Sequence, residues 1–434
     1  MKAAVSAVAG RTFSALRFHN YRLYFFSQAV SFSGTWMQMI AQSWLVLELT
    51  GSGTALGTVM AMQFLPMLLL APVGGMIADR VDKRRLIIAT QFLAGLLALL
   101  LGIVTLTGVV ELWMVYAIAA GFGTVTAIDN PSRQTFVMEM VGPDDISNAV
   151  TLNSIVVNAA RAVGPAIGGV IIASFGIGQC FVFNAASYLA VIGALLLIRR
   201  SELHPSARSA RAPRQLRDGL QYAWNTPTLR TTLVMLVMIG TLTYNFTTTL
   251  PLLSEFTFGA GASGLAAMTS LMGAGAVVGG LVVASAGAPT ARRLVAVAAA
   301  FGSIVIAVSA MPTIALVYLL MPFVGAASIA MISLSNATLQ LNSDPRFRGR
   351  VMALFSMALL GTTPVGGPLA GWIAENVSPR FSLLIGGTAA LAAAAFGWAS
   401  LTRRGAVTDT TSMLIASPDQ APWTGRTDGA TTGS

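Results

Sequence analysis

Long apolar runs, separated by short polar stretches, recur along the whole chain. A helix that crosses the hydrocarbon core of a bilayer needs about 20 mostly apolar residues. Two six-run groups of this length flank one polar stretch near the middle of the chain. The pattern therefore predicts an all-α membrane protein with twelve transmembrane helices, near 22–49, 54–78, 86–108, 112–137, 147–174, 179–198, 229–252, 262–286, 292–311, 314–338, 350–374 and 380–401.

The polar stretches divide the chain into five predicted regions. We expect a cytoplasmic leader over 1–20, a first six-helix bundle over 21–198 and a second over 229–402. The stretch 199–228 is rich in Arg, Pro, Ser and Ala, and is predicted to be a cytoplasmic linker with an amphipathic helix around Leu216–Trp224. The Thr-, Gly- and Ser-rich stretch 403–434 lacks periodicity and is predicted to be a disordered cytoplasmic tail.

Composition excludes most other classes of protein. The chain is 55% hydrophobic and 10% charged, whereas soluble domains average about 25% charged residues. A single cysteine and two histidines supply no metal-ligand cluster, so we expect neither a metal nor a cofactor. The apolar runs contain no paired carboxylates and no nucleophile–base set, which argues against an enzyme.

The distribution of charge predicts how the helices are oriented. The formal net charge of +10 falls in loops between apolar runs, which favours contacts with membrane lipid over nucleic acid. Cytoplasmic loops of membrane proteins are enriched in Lys and Arg. Placing both termini in the cytoplasm of a bacterial inner (plasma) membrane puts the basic loops inside: Arg80, Lys83, Arg84 and Arg85; Arg199, Arg200, Arg208, Arg211, Arg214 and Arg217; Arg292 and Arg293; Arg346, Arg348 and Arg350. The opposite loops carry Glu48, Glu111, Glu255 and Glu375, with Arg380 as their only cation.

The two bundles share an internal repeat. The stretch 75–86 ends the second run and opens the third, and 280–294 holds the same place after the eighth run, without the acid at Asp79. Asn130 precedes a loop and a Gly-Pro stretch at 164–169, and Asn336 precedes a similar stretch at 363–368. Repeats of this kind place a substrate site between the halves, near the bilayer midplane.

These stretches carry a resemblance to the major facilitator superfamily over about 20–402. Residues 75–85 resemble its signature Gly-x-x-x-Asp-Arg-x-Gly-Arg-Lys/Arg, with Asp82 in place of the second Gly. Gly164-Pro165-x-x-Gly168-Gly169 is similar to a motif of the exporters of that superfamily, although the motif's leading Gly is Ala160 here. The stretches 22–25, 130–133 and 148–154 are similar to a bacterial group of enterobactin-type siderophore exporters and macrolide efflux proteins.

The resemblance implies export of a small amphipathic molecule by alternating access, with proton antiport as the expected coupling. The arginine that many proton-coupled members carry in run four corresponds to Ala117, which counts against their standard mechanism. The resemblance also implies a gate at the cytoplasmic side, formed by Gly75, Asp79, Arg80, Arg84, Arg85 and Arg133. There Asp79 either pairs with Arg133 or lies at a helix N-terminus of the other half, where the helix dipole favours a carboxylate. The alternative is a solvated loop acid, with the basic residues serving as topology determinants.

Arg161 is the residue that membrane physics singles out. It lies 14 residues into the fifth run, about 21 Å along a helix and close to the midplane. A guanidinium there costs about 2.5–3.5 kcal/mol on insertion scales. Arg161 either binds an anionic substrate or coupling group, or braces helix packing with amides such as Asn158. Asp129 lies one helical turn before Arg133, which predicts a structural ion pair, with a protonation site as the alternative.

The remaining candidates are polar or helix-bending residues within runs. Interior polar side chains in the first, second and seventh runs either line the cavity or form interhelical hydrogen bonds: Gln38, Gln42, Gln63, Tyr244 and Asn245. Glycines and prolines in the fifth and eleventh runs are predicted to bend those helices and bring neighbours close: Gly164, Pro165, Gly168, Gly169, Pro364, Gly366, Gly367 and Pro368.

The sequence as a whole predicts a secondary transporter, expected as a monomer with a small-molecule substrate and protons as the candidate coupling ion. An uptake symporter of the same fold is the main alternative. A membrane sensor is a more distant one, because sensors usually carry a sizeable soluble output domain.

Overall fold

Twelve long helices dominate the fold. The computed structural model describes residues 14–142, 145–204, 215–285, 287 and 289–402, and no strand occurs among them. The predicted twelve-helix fold is confirmed, with α1 (His19–Thr50), α2 (Gly53–Arg80), α3 (Lys83–Leu106), α4 (Leu112–Val141), α5 (Ile146–Phe175), α6 (Ile177–Leu197), α7 (Pro227–Thr257), α8 (Gly261–Ser285), α9 (Ala291–Ala310), α10 (Ile314–Leu341), α11 (Arg348–Asn376) and α12 (Pro379–Thr402). The predicted tail at 403–434 and most of the predicted leader lie outside the described residues.

Eleven of these helices, α2 to α12, are long and apolar enough on their own to cross a membrane. Helix α1 has 32 residues but is more polar. Its polar side chains are buried inside the protein instead of facing lipid, among them Gln28, Ser31, Gln38 and Gln42. The bilayer therefore tolerates α1 because neighbouring helices cover its polar face.

The helices form two six-helix halves, α1–α6 and α7–α12, related by a pseudo-two-fold axis. Within the first half, α2 packs on α4, α3 on α6, and α1 on α5 and α6. The second half repeats the pattern with α8 on α10, α9 on α12, and α7 on α11 and α12. The contacts between the halves obey the same symmetry, because α2 packs on α11 and α5 packs on α8.

The repeated stretches have the same local structure in both halves. The side chain of Asp82 accepts a hydrogen bond from the backbone N–H of Arg85 at 2.9 Å, and so caps the N-terminus of α3. The hydroxyl of Thr290 accepts from the N–H of Arg293 at 3.3 Å, and caps α9 in the same way. Asp and Thr are both favoured N-cap residues. Capping thus explains why an acid stands at 82, where the superfamily pattern has glycine.

Two helices are interrupted near their middles, and both belong to the second half. Helix α7 consists of Pro227–Leu242, a break at 243–245, Phe246–Leu252 and one π-helical turn, Leu253–Thr257. Helix α11 consists of Arg348–Leu360 and Thr363–Asn376, with Pro364 in the first turn of the second segment. Helix α5 remains helical throughout, although Pro165 lies within it.

A helix over Gln215–Asn225 lies where the sequence predicts the amphipathic linker helix, and we call it the linker helix. Its Tyr222 ring stacks on Phe347 with centroids 4.4 Å apart, and its hydroxyl accepts from the N–H of Asp344 at 3.0 Å. Asp218 also faces Arg350 at 3.7 Å. The linker helix is therefore anchored on the loop between α10 and α11.

Candidate transport pathway between the two halves

The two ends of the helix bundle differ in charge. One end, which we call the acidic end, carries Glu48, Glu111, Glu255 and Glu375. The other, which we call the basic end, carries Arg80, Lys83, Arg84, Arg85, Arg199, Arg200, Arg292, Arg293, Arg346, Arg348 and Arg350.

The halves touch closely at the acidic end through backbone atoms of α2 and α11. A Cβ added to Gly53 would lie 2.6 Å from the carbonyl oxygen of Gly371. A Cβ added to Gly57 would lie 2.7 Å from the Cα of Pro368. Only glycine lets the two helices approach this far, as is typical of small residues at helix contacts in membranes.

Glu375 hydrogen-bonds the same helix pair together. Its Oε2 accepts from the Ser52 hydroxyl at 2.8 Å, from the Thr54 N–H at 2.9 Å and from the Thr54 hydroxyl at 2.7 Å. Ser52 is also the N-cap of α2. A carboxylate from one half thus lies at a helix N-terminus of the other half, where the helix dipole stabilises it. Every hydrogen bond that we find between described residues of the two halves lies in this cluster, which we call the Glu375 latch.

The second contact between the halves, α5 on α8, includes the middle of α5. A Cβ added to Gly273 would lie 2.6 Å from the Cα of Ala162 and 2.8 Å from the carbonyl carbon of Arg161. Closer to the acidic end, a Cβ on Gly169 would lie 2.5 Å from that of Ala266. Gly164 lets α5 approach α1 as well, because its added Cβ would lie 2.6 Å from the Cβ of Trp36.

Arg161 lies at the centre of this arrangement. It is the sixteenth residue of the 30 in α5, and its guanidinium stacks over the ring of Trp36 at 4.9 Å. Tyr244, from the break in α7, is near enough to interact with it electrostatically. The Nε of Arg161 is buried without a hydrogen-bond partner. The guanidinium makes no hydrogen bond or ion pair with any residue that the structure describes.

Several other polar atoms near the middle of the bundle also lack partners. Buried and unpaired within the described part of the chain are Gln42 Nε2 on α1, and Asn245 Oδ1 and Thr248 Oγ1 on α7. Asn245 donates with its Nδ2 to the carbonyl of Thr241 at 2.7 Å, and Gly366 of α11 packs close to that nitrogen. Unsatisfied groups of this kind at a break in a helix are typical of a site that a ligand or water completes.

The other predicted cavity residues have partners within one half. Gln38 accepts from Asn184 at 2.6 Å in the core of the first half. Tyr244 donates its hydroxyl to the carbonyl of Ser328 at 2.8 Å. Asn158 donates to Ser154 of its own helix at 2.8 Å, and does not bond to Arg161. The backbone of Gln63 packs against Gly123 of α4.

Asp129 and Arg133 form a buried ion pair inside the first half. Asp129 also accepts from Thr90 at 2.5 Å and from Gln91 at 3.2 Å, while Arg133 also donates to Gln28. This network engages Arg133, so it is not paired with Asp79. Three helices contribute to the network, since Gln28 belongs to α1, Thr90 and Gln91 to α3, and the ion pair itself to α4.

The predicted gate residues lie at the basic end of the first half. Asp79 lines a cavity of about 460 Å³ together with Arg80, Arg84, Glu139 and Arg200. Lys83, from the same cavity, pairs with Glu139. Arg84 donates to the carbonyls of Leu195 at 2.6 Å and Leu196 at 3.0 Å, which caps the C-terminus of α6. The backbone N–H of Arg85 bonds Asp82, and Gly75 is buried in α2.

Sequence reasoning missed two residues of the pathway. Glu375 looks like an ordinary loop acid, and only the pairing of α2 with α11 reveals its partners. Trp36 has no charge that would single it out within an apolar run, and only the packing of α1 on α5 reveals that its ring stacks on Arg161. A capping signal was present for the latch, since Ser52 opens the second run in the position that N-cap residues favour.

Comparison with known proteins identifies the class. The family model described as transmembrane secretion effector matches residues 10–421. With its two six-helix halves and the contacts between them, the molecule is a transporter of the major facilitator superfamily. The chain belongs to the transmembrane secretion effector family within it.

Curated relatives include transporters of two kinds. The chain is 29% identical over 238 residues to the staphyloferrin A transporter of Staphylococcus aureus, and the match covers 54% of this chain and 59% of that protein. It is 25% identical over 371 residues to the multidrug efflux pump Tap of Mycolicibacterium fortuitum, which covers 81% of this chain and 88% of the pump. The chain spans only about half the length of the first relatives. An uncharacterised MFS-type transporter of Bacillus subtilis, for example, is 27% identical, and the match covers 50% of its length.

Solved structures agree on the fold. A bacterial homologue of the human lysosomal transporter Spinster, in an inward-facing and occupied conformation, superposes with a TM-score of 0.68 at 14% identity, covering 89% of this chain and 97% of that one. A POT family transporter in complex with a thioalcohol-conjugated peptide superposes with a TM-score of 0.72 at 10% identity, covering 90% and 96%. At these identities the likeness concerns the fold alone.

Proposed function

We propose that this protein is a secondary active exporter that carries a small amphipathic molecule out of the cytoplasm by alternating access, as a monomer and in exchange for protons. The observation that carries the proposal is the asymmetry between its ends. The Glu375 latch and the glycine contacts hold the halves together at the acidic end. The unpaired Arg161 lies between the halves near mid-span.

The orientation follows from the positive-inside rule. With the basic end in the cytoplasm, the latch lies on the outer face, and the conformation is closed to the outside. A substrate then enters from the cytoplasm and reaches Arg161, Gln42 and Asn245. Export requires the latch to open while the basic end closes.

In this proposal the stretch 75–85 closes the basic end once the halves rock. Asp79 is the residue of that stretch in which we expect the gating role, because it lines a charged cavity and the superfamily signature carries an acid there. We expect it to meet the N-terminus of α11 in the second half, as Glu375 meets α2 at the other end. The two ends would then use the same physical device in alternation.

Coupling to protons requires a carboxylate within a span, and Asp129 is our candidate. Arg133, Thr90 and Gln91 all donate hydrogen bonds to its carboxylate. Protonation would weaken the link to Arg133 and loosen α4 from α1, through Gln28. The names of two relatives support the proposal: the staphyloferrin A transporter supports a small-molecule substrate, and the multidrug efflux pump Tap supports export.

The experiment is a screen in a bacterial host that lacks its own exporters. Cells expressing the protein are exposed to siderophores, macrolides and dyes, and the accumulation of each radiolabelled or fluorescent hit is measured. We expect lower accumulation, which rises when the proton gradient is collapsed. Higher accumulation on expression would identify an uptake symporter and overturn the export proposal.

An Asp79→Asn variant tests the gating role in the same cells. It should insert normally and lose efflux, whereas Asp218→Asn, which changes an exposed acid of the linker helix, should retain it. Normal efflux by Asp79→Asn would contradict the gating role.

A further inference from the structure

The charge on Arg161 is uncompensated by the protein. A guanidinium near the middle of a spanning segment is expensive unless it faces a partner or water. Two described carboxylates within the spans are engaged elsewhere, since Asp129 bonds Arg133 and Glu139 bonds Lys83. Glu375 bonds Ser52 and Thr54 at the acidic end. None of the ion pairs among the described residues includes Arg161.

The geometry around Arg161 is that of a binding site shared by both halves. Trp36 of α1 covers one face of the guanidinium at 4.9 Å. Tyr244 of α7, from the second half, lies near the guanidinium, and its hydroxyl already donates to the carbonyl of Ser328. The Nε of Arg161 is buried and unpaired. Its two terminal nitrogens also lack partners among the described residues, and they are not fully buried.

A structural role would look different. A bracing arginine donates to backbone carbonyls, as Arg84 does at the end of α6. Arg161 makes no such bond within the described residues, and its neighbour Asn158 bonds Ser154 instead. The close approach of α5 and α8 depends on Gly273 and the backbone at 161–162, not on the guanidinium.

We infer that the transported molecule is an organic anion whose carboxylate or similar oxyanion binds the guanidinium of Arg161, while its apolar or aromatic body lies against Trp36 and Tyr244. A planar guanidinium with free N–H groups can bind a carboxylate through two parallel hydrogen bonds. A tryptophan stacked on its face leaves the N–H edge of the guanidinium open. The inference rests on the proposed transport function, since the site lies between the halves.

Binding to the purified full chain in nonionic detergent tests this directly. The probes are 1-naphthylacetate, 1-naphthylacetamide and 1-(1-naphthyl)ethylamine, which share an aromatic body and differ in charge. Isothermal titration calorimetry should show that the anion binds at least tenfold more tightly than the amide, and that the amine does not bind, because a charge-assisted hydrogen bond is worth about a factor of ten or more. Equal affinity for the three probes, or preference for the amine, would overturn the inference.

Variants connect that preference to the residue. Arg161→Gln should abolish the difference in affinity between the anion and the amide. Arg161→Lys should keep part of that difference, because the charge remains while the planar, bidentate geometry of the guanidinium is lost. The matched control is Arg230→Gln, which removes another arginine that faces a tryptophan, Trp224 at 5.9 Å, away from the interface. Full preference for the anion in Arg161→Gln would overturn the inference.

Thermal unfolding without ligand separates binding from bracing. Removing an unpaired charge from the interior should raise the melting temperature of Arg161→Gln, or leave it unchanged, whereas removing a brace should lower it. A clear loss of stability would therefore count against the inference. These measurements need no transport, so anion binding without efflux would refute the proposed function, while the anion-binding site at Arg161 would stand.

Discussion

The Glu375 latch allows a quantitative prediction for Glu375→Ala. The substitution removes one acceptor oxygen that takes three hydrogen bonds from α2, two of them from hydroxyls and one from the backbone of Thr54. It leaves the glycine contacts of α2 with α11 in place. The folded structure should therefore survive, while the closed acidic end loses part of its stability relative to the open one.

The size of the effect follows from the exposure of the cluster. Hydrogen bonds to a carboxylate can contribute 1.5–3 kcal/mol each, but solvent competes for exposed ones, and about 0.5 kcal/mol each is the appropriate scale here. Three bonds give about 1.5 kcal/mol, which corresponds to a tenfold fall in the ratio of closed to open molecules. Glu375→Gln keeps an acceptor oxygen without the charge, and should fall between.

The assay is a distance measurement by double electron–electron resonance across the acidic end. Spin labels are attached at Leu49→Cys and Val377→Cys, which are exposed positions in different halves, after Cys180, the only cysteine, is changed to Ser. The long-distance population should grow in Glu375→Ala. The control is Glu111→Ala, because Glu111 accepts from Trp113 within the first half. An unchanged distance distribution in Glu375→Ala would refute the role of the latch.

Three further substitutions test other parts of the structure. Asp129→Leu should destabilise the protein by about 3–5 kcal/mol in thermal unfolding, because it leaves Arg133 buried without its partner. Adding Arg133→Leu should recover much of that loss. Equal stability of the single and the double variant would contradict a buried pair. Arg84→Gln should lower stability by about 1–2 kcal/mol through the lost cap on α6, and an unchanged melting temperature would show that the cap is dispensable. Gly57→Val should widen the spin-label distances at the acidic end, whereas Gly193→Val, with open space around its Cα, should leave them unchanged; identical distances in both variants would disprove the close contact.

Much of the fold could be predicted because the bilayer imposes a simple rule. Each spanning segment needs about 20 apolar residues, so the runs stand out, and the twelve helices begin and end within a few residues of them. The helices extend further than the runs where polar ends project beyond the hydrocarbon, as with α4, which continues to Val141 instead of 137. Helix α7 likewise continues to Thr257 through a π-helical turn that no hydropathy pattern signals.

Single residues with an unusual cost in lipid were also predictable. Arg161 stands out because any cation at mid-span needs an explanation. Asp129 and Arg133 stand out because the two opposite charges are four positions apart, on one face of the helix. What they contact was not predictable to the same extent. The sequence allowed Arg133 to meet Asp79, and tertiary packing brings Gln28 of α1 to it instead.

The latch and the break in α7 depend on long-range geometry. Ser52 and Glu375 are 323 positions apart, and their pairing exists only because α2 packs on α11. The residues 243–245 contain no proline or glycine, so the break has no local sequence signal. Packing contributes to it, since the hydroxyl of Thr243 donates to the carbonyl of Gly386 of α12 at 2.7 Å.

If the protein works by alternating access, the acidic end must open in every transport cycle, and a reversible cross-link across that end tests this requirement. Thr54→Cys and Glu375→Cys, in protein whose Cys180 is changed to Ser, are joined by a short bis-methanethiosulfonate, because the native side chains lie 2.7 Å apart. Counterflow of a substrate from the efflux screen is then measured in proteoliposomes. Cross-linking should stop transport, and reduction should restore it; transport at the full rate while the cross-link is intact would contradict alternating access.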